Sequence, residues 1–246
     1  MKIGPRITFS NNLDLVDFFL AFEDLVYVIL KLDDDFPQYY AGSDIDILCY
    51  DKEELARCIL KVGNRYINRG CEIRVREKSE THTHLDLYFN EELDLRFDLF
   101  EALPEYKNIK LKKHYAYSVI ENALQVCRES QGKRYVIYVP SAIDDLLLRY
   151  VEYIEWYATR PDKVKHLDYI LERASQDDTS RIKFLDKLHA YTDLPVAKSE
   201  GSAVQGVYWF GWLRYWARRA RSVPLRRVPQ VVAKTLRKWL SATFVA

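Results

Sequence analysis

Two aspartates one residue apart, Asp44 and Asp46, stand in the stretch YYAGSDIDILCY, which otherwise reads as a buried β-strand. Asp is a poor strand former. Side chains alternate along a strand, so Asp44 and Asp46 share one face while Ile45 and Ile47 share the other. Two carboxylates side by side repel each other. A cation between them removes the repulsion, and a divalent metal held by oxygen ligands is the usual candidate. A strand end facing solvent explains the same two residues equally well. Further acids recur in THTHLDLYFNEELDLRFDLF, as Asp86, Asp94 and Asp98, together with His82 and His84. The two histidines alternate onto one face and could ligate a metal. A surface role on an edge strand explains two histidines better.

The elements around these residues follow from local patterning. Residues 11–25 open with asparagine caps and carry apolar side chains at helical spacing. Residues 26–32, VYVILKL, form a β-branched run that predicts a buried strand. After a polar loop comes the strand of Asp44 and Asp46. Residues 51–70 predict a helix, with Asp51 as cap, acids in the first turn and Gly70 as stop. CEIRVREK alternates as a strand, and THLDLYF and LDLRFDLF predict two more, joined by the polar NEE. Residues 108–130 mix their signals, and KRYVIYV reads as a strand. Ser141 and Asp144 have capping-box spacing at the start of a long helix, and helical patterns continue through 161–174 and 178–191. The predicted class is α/β (α+β): a mixed sheet with flanking helices over 1–139, a mostly helical domain over 140–200, and a tail over 201–246.

A strand, a long loop, D-h-D-h on the next strand, a helix and then a hairpin: this order over about residues 13–104 resembles the DNA polymerase β-like nucleotidyltransferase superfamily. In that superfamily h-G-[GS] precedes D-h-D-h, and a third carboxylate follows on a later strand. The resemblance implies a nucleotidyltransferase-like sheet with Asp44, Asp46 and Asp98 as catalytic metal ligands. Asp86 is the runner-up to Asp98, and Asp94 lies too close to the turn. It implies Mg²⁺, or Mn²⁺, as cofactor. The positions aligned with Gly-Ser are Lys31 and Leu32, so Lys31 would offer a point charge to a donor phosphate. Ser43 is a further candidate for donor binding. The arrangement is also similar to LicD-type and surface-polysaccharide-associated nucleotidyltransferase-like proteins.

The resemblance thus implies a metal-dependent nucleotidyl- or phosphotransferase. Its partners would be a nucleotide or other phosphoryl donor and a glycan or small hydroxyl acceptor. The helical part would shape the acceptor pocket, with Arg149, Glu152, Lys163 and His166 as candidates. Arg149 and Glu152, three apart on a helix, equally make an ion pair, and a solvated face explains Lys163 and His166 better. Two other readings stand beside this one. DID can serve as the D-x-D of a GT-A-like glycosyltransferase, though that fold needs a longer nucleotide-binding half ahead of it. A degenerate nucleotidyltransferase fold can also bind without catalysing.

Charge is distributed unevenly. From Ala203 onward there are nine Arg and Lys and no acid, while the remaining 28 basic residues face 36 acidic ones. Four of the five Trp lie in this tail, at 209, 212, 216 and 239, and Pro224 and Pro229 divide it into short segments. Basic and Trp-rich segments favour an anionic membrane surface, and this one is too interrupted to cross. The acidic body makes nucleic acid a poor partner. No run is apolar enough to span a bilayer and the start does not resemble a signal peptide, which predicts a cytoplasmic protein peripheral to the inner membrane face. The four Cys, none in a C-x-x-C pair, read as reduced core thiols.

Overall fold

The computed structural model describes residues 9–32, 35–156, 159–160, 166, 169–170, 173 and 178–193. Lys163 and the basic tail, 201–246, lie outside the described residues. The chain divides into two compact units, Met1–Glu105 with Lys112–Leu148, and Tyr106–Leu111 with Arg149–Ala246.

The first unit is mixed α/β. Its five-stranded sheet runs in the order β1 (Tyr27–Ile29), β2 (Ser43–Cys49), β5 (Glu92–Phe100), β4 (His82–Phe89), β3 (Cys71–Ser79). β2 and β5 are parallel, and every other neighbouring pair is antiparallel. The β4–β5 hairpin turns at Asn90 and Glu91, with φ of 51° and 67°. Both are left-handed, which is how a two-residue turn matches the twist of its strands.

Alternation decides which side of this sheet is oily. Ile45, Ile47, Leu85, Leu87, Leu95, Phe97 and Leu99 are buried in one core. The helices α1 (Leu15–Ala21) and α2 (Lys52–Gly63) pack together, and α2 lies against β3, β4 and β5. Phe18 meets Phe97 at 5.1 Å between ring centroids, and Phe19 meets Phe22 at 5.3 Å. Burying each such ring contributes about 1.5–3 kcal/mol. Asp14, not one of the asparagines, caps α1: its carboxylate accepts from the Val16 amide. Asp51 caps α2 as predicted, accepting from the Glu54 amide at 2.8 Å. The helix passes into a 3-10 turn over Asn64–Arg69 and stops at Gly70, whose φ of 90° suits glycine.

The segment of mixed signals resolves into α3 (Tyr115–Glu121) and β6 (Leu124–Ser130), which pairs with β7 (Lys133–Val139). Tyr135 and Ile137 of β7 join the core, and Lys133 ties the hairpin to α1 through Asp14 and Asp17. Ser141 caps α4 (Ala142–Trp156) by accepting from the Asp144 amide. In the second unit, α5 spans Asp178–Tyr191. No helix among the described residues is long and apolar enough to cross a membrane. All four cysteines are free, but Cys127 is exposed, so the reading of four core thiols holds only in part. Burial pushes the Cys49 thiol up to about 12 and that of Cys71 up to about 11.

Candidate metal and phosphate site

The face of the sheet opposite the core carries the charges. Register aligns Asp46 with Asp98 across β2 and β5, and Asp98 with His84 across β5 and β4. The next row toward the N-terminal end of β2 aligns Asp44 with Arg96, and Arg96 with Asp86. The alternation that buries Ile45, Ile47, Phe97 and Leu99 therefore collects acids and histidines in adjoining rows. One carboxylate oxygen from each of Asp44, Asp46 and Asp98 lies within 4.8 Å of the others. The runner-up Asp86 is not in this group.

A lysine stands beside the three carboxylates. Lys31, just beyond β1, brings its ammonium to 3.4 Å from Asp46 Oδ2. The Leu30 amide donates to the Asp46 carbonyl, which holds this segment beside β2. Burial raises the Asp46 carboxyl above the ordinary range; Lys31 pulls it back, and Asp44 and Asp98 add to the rise. Oxygen donors of this kind suit a hard divalent cation.

No family model, curated protein or solved structure matches the chain.

His82 and His84 contradict the edge-strand expectation. β4 lies between β5 and β3, so it is an interior strand, and His84 is buried. β4 is interior because both of its neighbours in sequence, β3 and β5, pair with it, one along each side. Both imidazoles reach Asp98: His82 Nε2 is 2.5 Å and His84 Nε2 3.0 Å from Oδ1. Burial lowers the His84 pKa below the usual histidine range, with Asp98 opposing and Arg96 and His82 adding to the drop.

The remaining acids are differently employed. Asp86 is fully buried and held by Arg76 and by Arg96, whose Nε donates at 2.6 Å. Burial alone would raise its carboxyl; the two guanidiniums outweigh burial and hold it below the ordinary range. Asp94 accepts from Ser10 (2.7 Å), Asn12 (2.8 Å) and Tyr39 (2.6 Å), and so fastens the N-terminal segment to the sheet. Neither motif nor spacing announces this role, since its partners lie 55 to 84 residues away.

Ser43 is not brought to the acids. Its hydroxyl accepts from the Tyr40 amide, and alternation sets it on the other face from Asp44. The acceptor-side candidates belong to the second unit. Arg149 lies over the Tyr169 ring at 4.4 Å, and Glu152 Oε2 is 3.3 Å from His166 Nε2. Glu152 and His166 are both buried, which replaces the solvated face expected for His166.

Proposed function

We propose that this protein is a metal-dependent nucleotidyl- or phosphotransferase acting on a hydroxyl acceptor. The observation that carries the reading is the convergence of Asp44, Asp46 and Asp98 on one sheet face, with Lys31 beside them. The proposed fold relationship is to the DNA polymerase β-like nucleotidyltransferases, whose pattern of a D-h-D-h pair and a third carboxylate on a later strand these residues match.

Asp44, Asp46 and Asp98 would hold Mg²⁺ or Mn²⁺. When bound, such an ion neutralises charge on the transferring phosphoryl group and its leaving oxygen. The chain's own residues supply the rest. The Lys31 ammonium, 3.4 Å from Asp46 Oδ2, would offer its charge to a donor phosphate at the edge of the cluster. The acceptor hydroxyl attacks phosphorus, the bond to the leaving phosphate or pyrophosphate breaks, and the hydroxyl proton passes to a carboxylate of the cluster. Asp98 is the carboxylate of the cluster that His82 and His84 would hold in place.

The basic, Trp-rich stretch 207–246 supports an acceptor presented at an anionic membrane surface, such as a lipid-linked glycan. Salt-sensitive binding to phosphatidylserine vesicles, lost on deleting 207–246, is the expected result. Equal binding with and without the stretch contradicts it.

The test of the enzymatic reading is a donor screen by thermal stabilisation, with nucleotides and nucleotide-sugars, each with and without Mg²⁺. A ligand that binds only the folded chain raises its midpoint. At least one donor should do so only with Mg²⁺, and Asp46→Asn should abolish the rise. Stabilisation that ignores Mg²⁺ and survives Asp46→Asn contradicts the proposal.

A further inference from the structure

His82, His84 and Asp98 form a second group whose ligand atoms lie within 4.8 Å of one another. Alternation places the two imidazoles on one face of β4, and their rings stand 4.8 Å apart between centroids. Both Nε2 atoms close on the same oxygen, Asp98 Oδ1, at 2.5 and 3.0 Å. Three electron-rich atoms meeting at one point need positive charge among them, either protons or a cation. His84 is nine-tenths buried, and its Nδ1 makes no hydrogen bond. Asp98 Oδ1 favours a proton on the Nε2 that faces it, and a cation taking that proton's place would leave Nδ1, which has no partner of its own, to carry the remaining proton.

We infer that His82, His84 and Asp98 bind a first-row transition-metal ion of the Zn²⁺ type, distinct from the ion held by the carboxylates. Two imidazoles and one carboxylate are the donor set that selects such ions over Mg²⁺, which takes oxygen. Three protein ligands leave an open position, as in reactive rather than purely structural zinc sites. Asp98 links the two groups. Oδ1 faces the histidines, and Oδ2 would be the oxygen offered to the proposed cluster with Asp44 and Asp46. An ion between the imidazoles would anchor Asp98 in the row where it faces Asp46.

The probe is Co²⁺, titrated into the full chain after stripping with EDTA and followed by its visible d–d absorption. One equivalent should bind with the spectrum of nitrogen and oxygen ligation and resist excess Mg²⁺. His82→Gln and His84→Gln should each weaken it by about tenfold or more. Asp44→Asn should leave it in place, so the result stands apart from the transferase reading. Circular dichroism checks that each variant folds. Should His84→Gln fail to fold, the imidazole resonances of the wild-type chain decide instead: Co²⁺ should broaden those of His82 and His84 ahead of the other three. Absence of Co²⁺ binding, thiolate-type absorption, unchanged affinity in the histidine variants, or broadening of other histidines first would overturn the inference.

Discussion

Asp86 and Asp46 occupy the same face of the same sheet, on β4 and β2, with β5 between them. Asp86 is fully buried and has two guanidiniums, from Arg76 and Arg96. Asp46 is less buried; Lys31 lies beside it, and so do the carboxylates of Asp44 and Asp98. Their acidities move in opposite directions from the same starting value. A carboxylate whose charge is answered within the chain is finished as a structural element. One raised chiefly by burial, with Lys31 opposing, would be stabilised in its charged form by a cation at the proposed site. Asp86 is thus accounted for by its two arginines, whereas Asp98 lies with Asp44 and Asp46 in the group proposed to hold a metal.

Exchanging each acid for its amide breaks the comparison most sharply. Asp46→Asn should reduce transferase turnover by about 10³-fold or more, equivalent to ~4 kcal/mol at the barrier. Its thermal midpoint without metal should stay level or rise, because a like-charge contact has gone. Asp86→Asn should do the reverse. It strands two arginines over a buried site and should cost about 3 kcal/mol of folding stability, at the low end because both can still reach water. A turnover assay reads the first effect, and thermal and chemical denaturation of the two variants beside the wild type read the stability changes.

Acid sharpens the same contrast, measured in EDTA. Asp46 has a raised carboxyl, so the folded chain holds its proton more tightly than the unfolded chain does. Its ionisation costs stability above the raised pKa, and this cost disappears as pH falls from there to the ordinary 3.8. The advantage of Asp46→Asn over wild type should therefore shrink through that window. Asp86 has a lowered carboxyl. Its contribution is fully present above 3.8 and is lost only as pH falls through the lower, folded value. The deficit of Asp86→Asn should persist through the window in which the Asp46 effect fades. Parallel pH profiles for the two variants would erase the distinction.

Smaller effects are expected where one partner of several is removed. Lys31→Ala should weaken donor binding by about 2 kcal/mol, within the range for charged hydrogen bonds, and calorimetry with the donor reads it directly. Unchanged donor affinity removes Lys31 from the phosphate site. Asp94 is the intermediate case, a buried acid satisfied by neutral donors. Tyr39→Phe deletes one of its three hydrogen bonds and should lower stability by about 1 kcal/mol, with no change in metal affinity.

The sequence makes some of this visible and hides the rest for identifiable reasons. Alternation around Asp44 and Asp46 predicts their common face, because a strand's period is local. Asp51 and Gly70 bound their helical segment for the same reason, and 178–191 carries its helix entirely in its own residues. β6 stays hidden because most of its residues are exposed and none is buried, so no apolar alternation marks it. The histidines are misjudged because interior and edge strands look alike until pairing is known. Arg76 and Arg96 reach Asp86 only through register, and Asp94 finds Ser10 and Tyr39 only through the closed fold. Local period and caps are therefore readable from the chain, whereas charge balance is a property of the assembled sheet.

The most direct test of the central claim is a calorimetric titration of Mn²⁺ into the EDTA-treated full chain and into Asp46→Asn, with the histidine group first saturated by Zn²⁺. The wild type should take up further Mn²⁺, and Asp46→Asn should lose that uptake while keeping its Zn²⁺. Equal Mn²⁺ uptake by both proteins, or none by the wild type even with a triphosphate nucleotide present, would contradict the assignment of Asp44, Asp46 and Asp98 as a metal site.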